Sequence, residues 1–410
     1  MTDKRRFIIV GASLAGAKAA ETLRQEGFEG EVMLLGDEPV RPYERPPLSK
    51  DYLQGKSEVE KVFVHEEAYY DDHDIELRLS CPVQAIEPQL REVVLATGKR
   101  LSFDALLLAT GAVPRRLSVP GTGLEGVLYL RNLADADRLK TAIESASRIV
   151  VIGGGWIGCE VAASARQLGV EVALVEAGQL PLERVLGPEL GRFYRDVHAD
   201  HGVELHLGVG VEALRGNKKV EEVRLADGSA VAGDVVVVGV GVAPRIELGE
   251  GASLALDNGI VTNEHLVTSA AGVFAAGDVA SAWHPILGRR LRLEHWSSAL
   301  NQGPVAAKNM LGIPTAYERI PYFFSDQYDV GMEYSGYAID WDEVVFRGDP
   351  ASREFVAFWL KDGRVAAGMN VNVWDVADPI ATLVAGQRPV DSARLTDTAV
   401  ELTSLVGEMT

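Results

Sequence analysis

The sequence predicts an α/β fold in which two βαβ units, one in each half, precede a smaller α+β domain at the C-terminus. Three observations lead there. A short apolar run, Phe7 to Val10, ends in a glycine-rich turn and feeds a helical stretch. The same pattern returns at Arg148–Ile152. Past about residue 320 the texture changes to alternating strand-like segments.

In the first unit the turn is GASLAG, Gly11–Gly16, and the helix that follows carries Leu14, Ala17, Ala20 and Leu23 roughly on one face until Gly27 and Gly30 end it. Glu31–Leu35 reads as the returning strand. In the second unit the turn is GGGWIG, Gly153–Gly158, its helix carries Ile157, Val161, Ala165 and Leu168, and Val172–Val175 returns. The two motifs begin 142 residues apart. Each is followed by a similar tail. Val93–Arg100 turns at Thr-Gly and leads to Leu106–Gly111 and Ala112-Val-Pro-Arg115. Val223–Ala232 turns at Asp227-Gly228 and leads to Val235–Gly241 and Val242-Ala-Pro-Arg245. This internal repeat argues for two homologous Rossmann-like dinucleotide-binding domains. Farther on, Glu343–Phe346, Phe355–Lys361 and Arg364–Val373 read as antiparallel strands, with Asp362-Gly363 as a hairpin turn between the last two.

A glycine turn between strand and helix lets backbone approach a pyrophosphate, and the helix N-terminus offers N–H groups and a partial positive charge. An acid at the end of the next strand takes the ribose hydroxyls. In the first unit Ser13 stands where the usual pattern has its second glycine, and Asp37, 21 residues beyond Gly16, or its neighbour Glu38 is the ribose acid. In the second unit all three glycines are kept and Glu176 is the acid. It accepts from a free 2′-hydroxyl and repels a 2′-phosphate, and the nearest downstream arginine is Arg184, which favours NADH over NADPH. Two such sites suggest FAD plus NAD, a hydride donor beside a group that releases electrons singly.

Composition narrows the function. Of 410 residues, 40 are Lys or Arg and 59 are Asp or Glu, a net charge of −19 that repels phosphate backbones and anionic membrane surfaces. No uncharged apolar run reaches the roughly 20 residues of a membrane helix, and the chain enters its first turn without a signal-peptide pattern, so a cytoplasmic location is expected. The two cysteines, Cys81 and Cys159, exclude a Cys-x-x-Cys redox pair and a chain-borne iron–sulfur cluster. Cys159 opens the second fingerprint helix, where a thiolate is favoured, but small residues also pack there. His198, His201 and His206 cluster around Asp200 without the spacing that converges on a metal, and no metal site is expected.

Taken together, the chain resembles the NADH-dependent ferredoxin reductases that serve oxygenases and cytochrome P450 systems. The marks are GASLAG, PYERPPLSK at Pro42–Lys50, ATGAVPR at Ala109–Arg115, GGGWIGCE at Gly153–Glu160, AAGDVA at Ala275–Ala280, EHWSSALNQG at Glu294–Gly303 and FFSDQYD at Phe323–Asp329. The resemblance implies a glutathione-reductase-like arrangement: an FAD domain in two segments, 1–112 and 243–319, an NAD domain at 113–242, and an interface domain at 320–410. It implies Lys50, Glu160 and Glu294 as catalytic residues, with Lys50 near the flavin and paired to Glu160, and with Glu160 and Glu294 flanking the nicotinamide. It implies that FAD or NAD is held by Gly11, Ser13, Ala15, Gly16, Asp37, Glu38, Arg45, Lys50, Val83, Ala109, Thr110, Gly111, Arg131, Gly153, Gly155, Trp156, Ile157, Gly158, Glu176, Gly241, Gly277, Asp278 and Trp296. Asp278 would bond the ribityl chain and Trp296 would lie beside the flavin ring.

The implied activity passes electrons from NADH through FAD to a [2Fe–2S] ferredoxin, in a monomer or homodimer. Rubredoxin, a quinone or another small acceptor is the alternative. An apoptosis-inducing-factor-like redox sensor shares the architecture but expects a targeting segment and a basic surface. Related disulfide reductases place a cysteine where this chain has Pro46-Pro47-Leu48-Ser49. Departures from the family pattern lie at Ser13, at Phe323-Phe324 where Trp is frequent, and at Met369–Val376; the last two bear on the acceptor. Arg289, Arg290 and Arg292 are either a basic patch for an acidic ferredoxin or a solvated hairpin turn.

Overall fold

The computed structural model describes residues 4–407. The chain divides into two compact units, both discontinuous. Of the described residues, the first comprises those up to Glu44, Val59–Val113 and Ala243–Pro321; the second comprises Arg45–Glu58, Pro114–Val242 and those from Tyr322 to 407.

The first unit is built on a parallel sheet in the order Val273–Ala275, Ala105–Leu108, Arg6–Val10, Glu31–Leu35, Ile75–Arg78. A parallel sheet is covered on both faces, so its inner strands are largely apolar runs, while the edge strand Ile75–Arg78 alternates with charged residues. Phe7 and Ile9 face Leu23, Ala306 and Ala307 on the helices Leu14–Gln25 and Trp296–Met310. Ile8 and Val10 face Ile86 and Val93 on an antiparallel sheet of Val83–Glu87, Glu92–Leu95 and Arg100–Ser102. The two helices cross closely: a Cβ on Gly303 would lie 2.3 Å from the Ala15 carbonyl oxygen.

The second unit repeats the plan, with a parallel sheet in the order Glu204–Leu207, Glu171–Glu176, Arg148–Ile152, Val235–Val238, Val127–Leu128. Val150 and Ile152 face Leu214, Val223 and Val231 of a three-stranded antiparallel sheet. A further antiparallel sheet follows, ordered Tyr322–Gln327, Val330–Gly336, Arg364–Val371, Glu354–Lys361, Glu343–Asp349. Its Asp362-Gly363 hairpin has positive φ at both residues, 50° and 69°, the geometry that turn type requires. The strands Tyr322–Gln327 and Val330–Gly336 were not read from the sequence. The C-terminal sheet also shares its core with the second nucleotide-binding unit. Phe323, Met332 and Trp359 pack in one cluster with Ile149, Leu186 and Tyr194, and the Trp359 indole donates to the Leu186 carbonyl at 3.0 Å.

Candidate active site

The two glycine turns have one construction. Gly11 has φ +117°, and a Cβ there would lie 2.1 Å from the Ala109 carbonyl oxygen; Gly153 has φ +105° and would meet Gly239 O at 2.4 Å. A Cβ on Gly16 would lie 2.0 Å from Gly11 O, and one on Gly158 1.9 Å from Gly153 O. First and third positions therefore admit only glycine. The second position differs. Ser13 and Gly155 are extended, φ −122° and −81°, and nothing lies within 4 Å of a Cβ on Gly155. A serine fits the first turn without strain.

Each turn opens a helix, Leu14–Gln25 or Trp156–Gln167, that has no side-chain cap and no acid in its first turn. The helix Leu133–Ser145 of the second unit is closed instead by an Asn132–Asp135 capping box. The fingerprint helices thus keep their first N–H groups for an anionic ligand, which fits a dinucleotide pyrophosphate. Ala15 packs in the first helix beneath Gly277, and Trp156 and Ile157 begin the second. Glu176 accepts from Gly154 N at 2.5 Å and from Gly178 N at 2.6 Å, so it braces the turn while each oxygen retains a lone pair for a ribose hydroxyl.

The first ribose acid is resolved into two environments. Asp37 pairs with Arg245 at 2.7 Å, whereas Glu38 accepts from Tyr43 Oη at 2.6 Å. Around the rest of the first unit, Ala109 is buried, the Thr110 hydroxyl donates to Arg245 O at 2.8 Å, and Gly111 has φ +70°. Val83 starts its strand half-buried. Gly277 N donates to Gln302 Oε1 at 2.8 Å, next to Asp278. Trp296 opens its helix after Glu294, which pairs with Arg292 at 2.6 Å. That pair bears on the arginine run: Arg290 donates to the carbonyls of Thr262 and Ser281 at 2.6 and 2.7 Å, and Arg292 is held by Glu294. Two of the three guanidinium groups are spent inside the fold, so the run is not the open basic patch considered above; Arg289 alone of the three is exposed.

In the second unit Pro46–Ser49 forms a short 3₁₀ turn that delivers Lys50 to Glu160. Lys50 Nζ lies 2.8 Å from Glu160 Oε2, with the side chains 12% and 4% exposed. Ser49 Oγ donates to the same oxygen at 2.5 Å, and Ser325 Oγ donates to Oε1 at 2.7 Å. Ser325 was not singled out in the sequence. The Arg45 guanidinium donates to the Arg131 carbonyl, and Gly241, φ +93°, accepts from Arg115 N. Cys159 is wholly buried and burial pushes its thiol up, so it packs rather than reacts.

The histidines diverge. His206 takes Glu204, His201 stacks on Tyr328, and His198 lies buried between Gln327 and Tyr328. Among the described residues no group of acids, histidines and cysteines could hold a metal. Burial pushes the His198 imidazole down to about 4, against partial opposition from its bond to Gln327. The unfolded chain therefore takes up a proton that the folded chain refuses. Stability should fall as pH drops from about 6.5 to about 4, by up to about 3 kcal/mol. The Tm of His198→Gln should depend less steeply on pH over that window; equal slopes would clear His198.

Comparison with known proteins completes the picture. Residues 5–303 match the model of the pyridine nucleotide-disulphide oxidoreductases, and residues 322–406 match the reductase C-terminal domain. The ferredoxin reductase subunit of 5,5′-dehydrodivanillate O-demethylase from Sphingobium sp. (strain NBRC 103272 / SYK-6) is 40% identical over 402 residues, 97% of each chain. Putidaredoxin reductase from Pseudomonas putida is 36% identical over 99% of this chain and 98% of its own. The chain belongs to the ferredoxin reductase family. The reductase fold also matches putidaredoxin reductase in its covalent complex with putidaredoxin, at TM-score 0.96 and 35% identity over 99% of both chains. This reductase is thus an FAD- and NAD(P)H-using oxidoreductase, with the two Rossmann-like sheets and the C-terminal antiparallel sheet of that family. No helix among its described residues is long and apolar enough to cross a membrane.

Proposed function

We propose that this reductase carries electrons from NADH through FAD to a [2Fe–2S] ferredoxin that serves an oxygenase or a cytochrome P450. The observation that carries this reading is two dinucleotide turns of one construction in a chain with no redox thiol pair: electrons that enter must be handed on. Ser49, bonded to Glu160, occupies the segment where a disulfide reductase would need cysteine. The relatives named for ferredoxin and putidaredoxin systems support the same choice.

In this reading FAD is held by 1–112 and 243–319, NADH by 113–242, and the residues from 320 form the interface domain. FAD accepts a hydride and releases electrons singly. The Gly11–Gly16 turn, with Ala109, Thr110, Gly111, Gly277, Asp278 and Trp296, serves FAD, and the Gly153–Gly158 turn and Glu176 serve NADH. Lys50 and Glu160 form a neutral buried pair that orients the reacting end of the nicotinamide and excludes water. The protein works in the cytoplasm as a monomer or homodimer.

The purified protein should be yellow, with about one FAD per chain. NADH-driven reduction of cytochrome c should rise at least tenfold on adding a [2Fe–2S] ferredoxin. A colourless protein that takes up no FAD removes the reading, and a rate indifferent to every ferredoxin favours a small acceptor.

Glu176 sets the nucleotide preference. Glu176→Ala should raise kcat/KM for NADPH relative to NADH by about tenfold, because it removes an anion from the 2′ position. It should also weaken NADH, since the turn loses its brace. A wild type that already prefers NADPH contradicts this role.

A further inference from the structure

Beyond Glu160 the polar contacts continue inward. Ser325 and Gln327 lie on one face of the strand Tyr322–Gln327, and both are 1% exposed. Gln327 Nε2 is 3.2 Å from Ser325 Oγ, Gln327 Oε1 is 3.1 Å from His198 Nε2, and His198 Nδ1 is 3.1 Å from Tyr328 Oη.

Three elements share one spacing, and that alignment makes the run continuous. Trp156 and Glu160 are four apart on a helix, about 6 Å along its axis. Phe323 and Ser325 are two apart on a strand, about 6.6 Å. Trp156 meets Phe323 edge to face while Glu160 meets Ser325. On the helix Glu183–Asp200, Tyr194 meets Trp156 while His198, four on, meets Gln327. Tyr328 sits at φ +59°, a left-handed conformation uncommon for an aromatic residue, and its ring stacks on His201 at 3.8 Å.

The direction of every bond follows from one end. The Glu160 carboxylate only accepts, so Ser325 donates to it. Ser325 must then accept from the Gln327 amide nitrogen. Gln327 Oε1 must accept from a proton on His198 Nε2. His198 Nδ1 is left bare, and Tyr328 Oη donates to it. Four bonds point the same way, each polarising the next toward the carboxylate.

We propose that Tyr328, His198, Gln327 and Ser325 form a one-way hydrogen-bond chain that fixes the Glu160 carboxylate for hydride delivery, the four acting as positioning residues. The proposal rests on the reading that Glu160 serves the nicotinamide.

Holoenzyme variants test it. Ser325→Ala and Gln327→Leu should slow flavin reduction by NADH about tenfold in stopped flow while the Kd for NAD⁺ stays within about twofold. Ser325→Thr, which keeps the hydroxyl, should restore the rate, and Tyr328→Phe should slow it about threefold. ¹⁵N NMR of histidine-labelled protein reads the chain without turnover. His198 should carry its proton on Nε2, and Glu160→Gln should move that resonance in the wild-type background but not when Gln327→Leu is also present. A proton on Nδ1, or a resonance blind to Glu160→Gln, overturns the proposal. A slow Glu160→Ala beside normal Ser325→Ala and Gln327→Leu overturns it alone; a normal Glu160→Ala overturns it together with the nicotinamide reading.

Discussion

Glu160→Ala is expected to slow flavin reduction by NADH about a hundredfold while FAD content stays unchanged. The carboxylate is nearly inaccessible and takes three donors: Lys50 Nζ, Ser49 Oγ and Ser325 Oγ. Removing it leaves the Lys50 ammonium in a poorly hydrated site without its ion-pair partner, and breaking a buried pair from one side costs roughly 3–5 kcal/mol. If about 2.8 kcal/mol of that cost, roughly 70% of its midpoint, falls on the transition state, the rate drops about a hundredfold, since tenfold is about 1.4 kcal/mol. Lys50 is expected to withdraw from its place, and the nicotinamide loses the group that orients it. FAD retention should survive because Gly11, Gly16 and Gly277 belong to the first unit. Glu160→Gln keeps an acceptor for both serines and should lose less, which separates the charge from the hydrogen bonds. Unchanged stopped-flow reduction in Glu160→Ala would show the pair to be purely structural.

The second large effect is a pair of matched alanine substitutions. Gly16→Ala should yield a protein that cannot retain FAD, whereas Gly158→Ala should stay yellow and lose NADH. At each position the added methyl would lie about 2 Å from a carbonyl oxygen of the same turn, Gly11 O or Gly153 O. Neither neighbour is a flexible side chain, so the helix must move off the strand. The displacement disrupts the turn that meets the pyrophosphate, and a cost of roughly 2–4 kcal/mol is expected at the altered site. Flavin absorbance after gel filtration and calorimetric titration with NAD⁺ give the two readouts. If Gly158→Ala sheds flavin and Gly16→Ala does not, the assignment of the two turns must be exchanged.

The sequence revealed the parts whose cause is local. The glycine turns follow from steric demands within five residues, and the repeat follows from the apolar runs around them. The pairing of Lys50 with Glu160 came from resemblance, because 110 positions separate the two and no periodicity links them. Asp37 and Glu38 could not be told apart since the partner that distinguishes them, Arg245, is 208 positions away. The strand Tyr322–Gln327 escaped notice because its inward face runs Phe323, Ser325, Gln327, polar where burial was expected to be apolar. The arginine run misled for the opposite reason. A run of charge suggests exposure, yet a guanidinium can be satisfied by backbone carbonyls nearby, as Arg290 is by Thr262 and Ser281.

The discontinuity of both units sets a timetable for biosynthesis. The first unit cannot close until its last segment, ending at Pro321, has emerged, and the core around Ile149 and Leu186 lacks Trp359 until later still. At about 5–20 residues per second, the strand Arg6–Val10 waits on the order of 15–60 seconds for its last partners. Throughout that time the nascent chain displays uncovered Val, Ile and Leu faces to the cell. A ribosome stalled near residue 242 would present two βαβ motifs and no finished unit. Translation speed and chaperone supply, rather than the stability of the finished molecule, should then govern how much of this reductase a host can make.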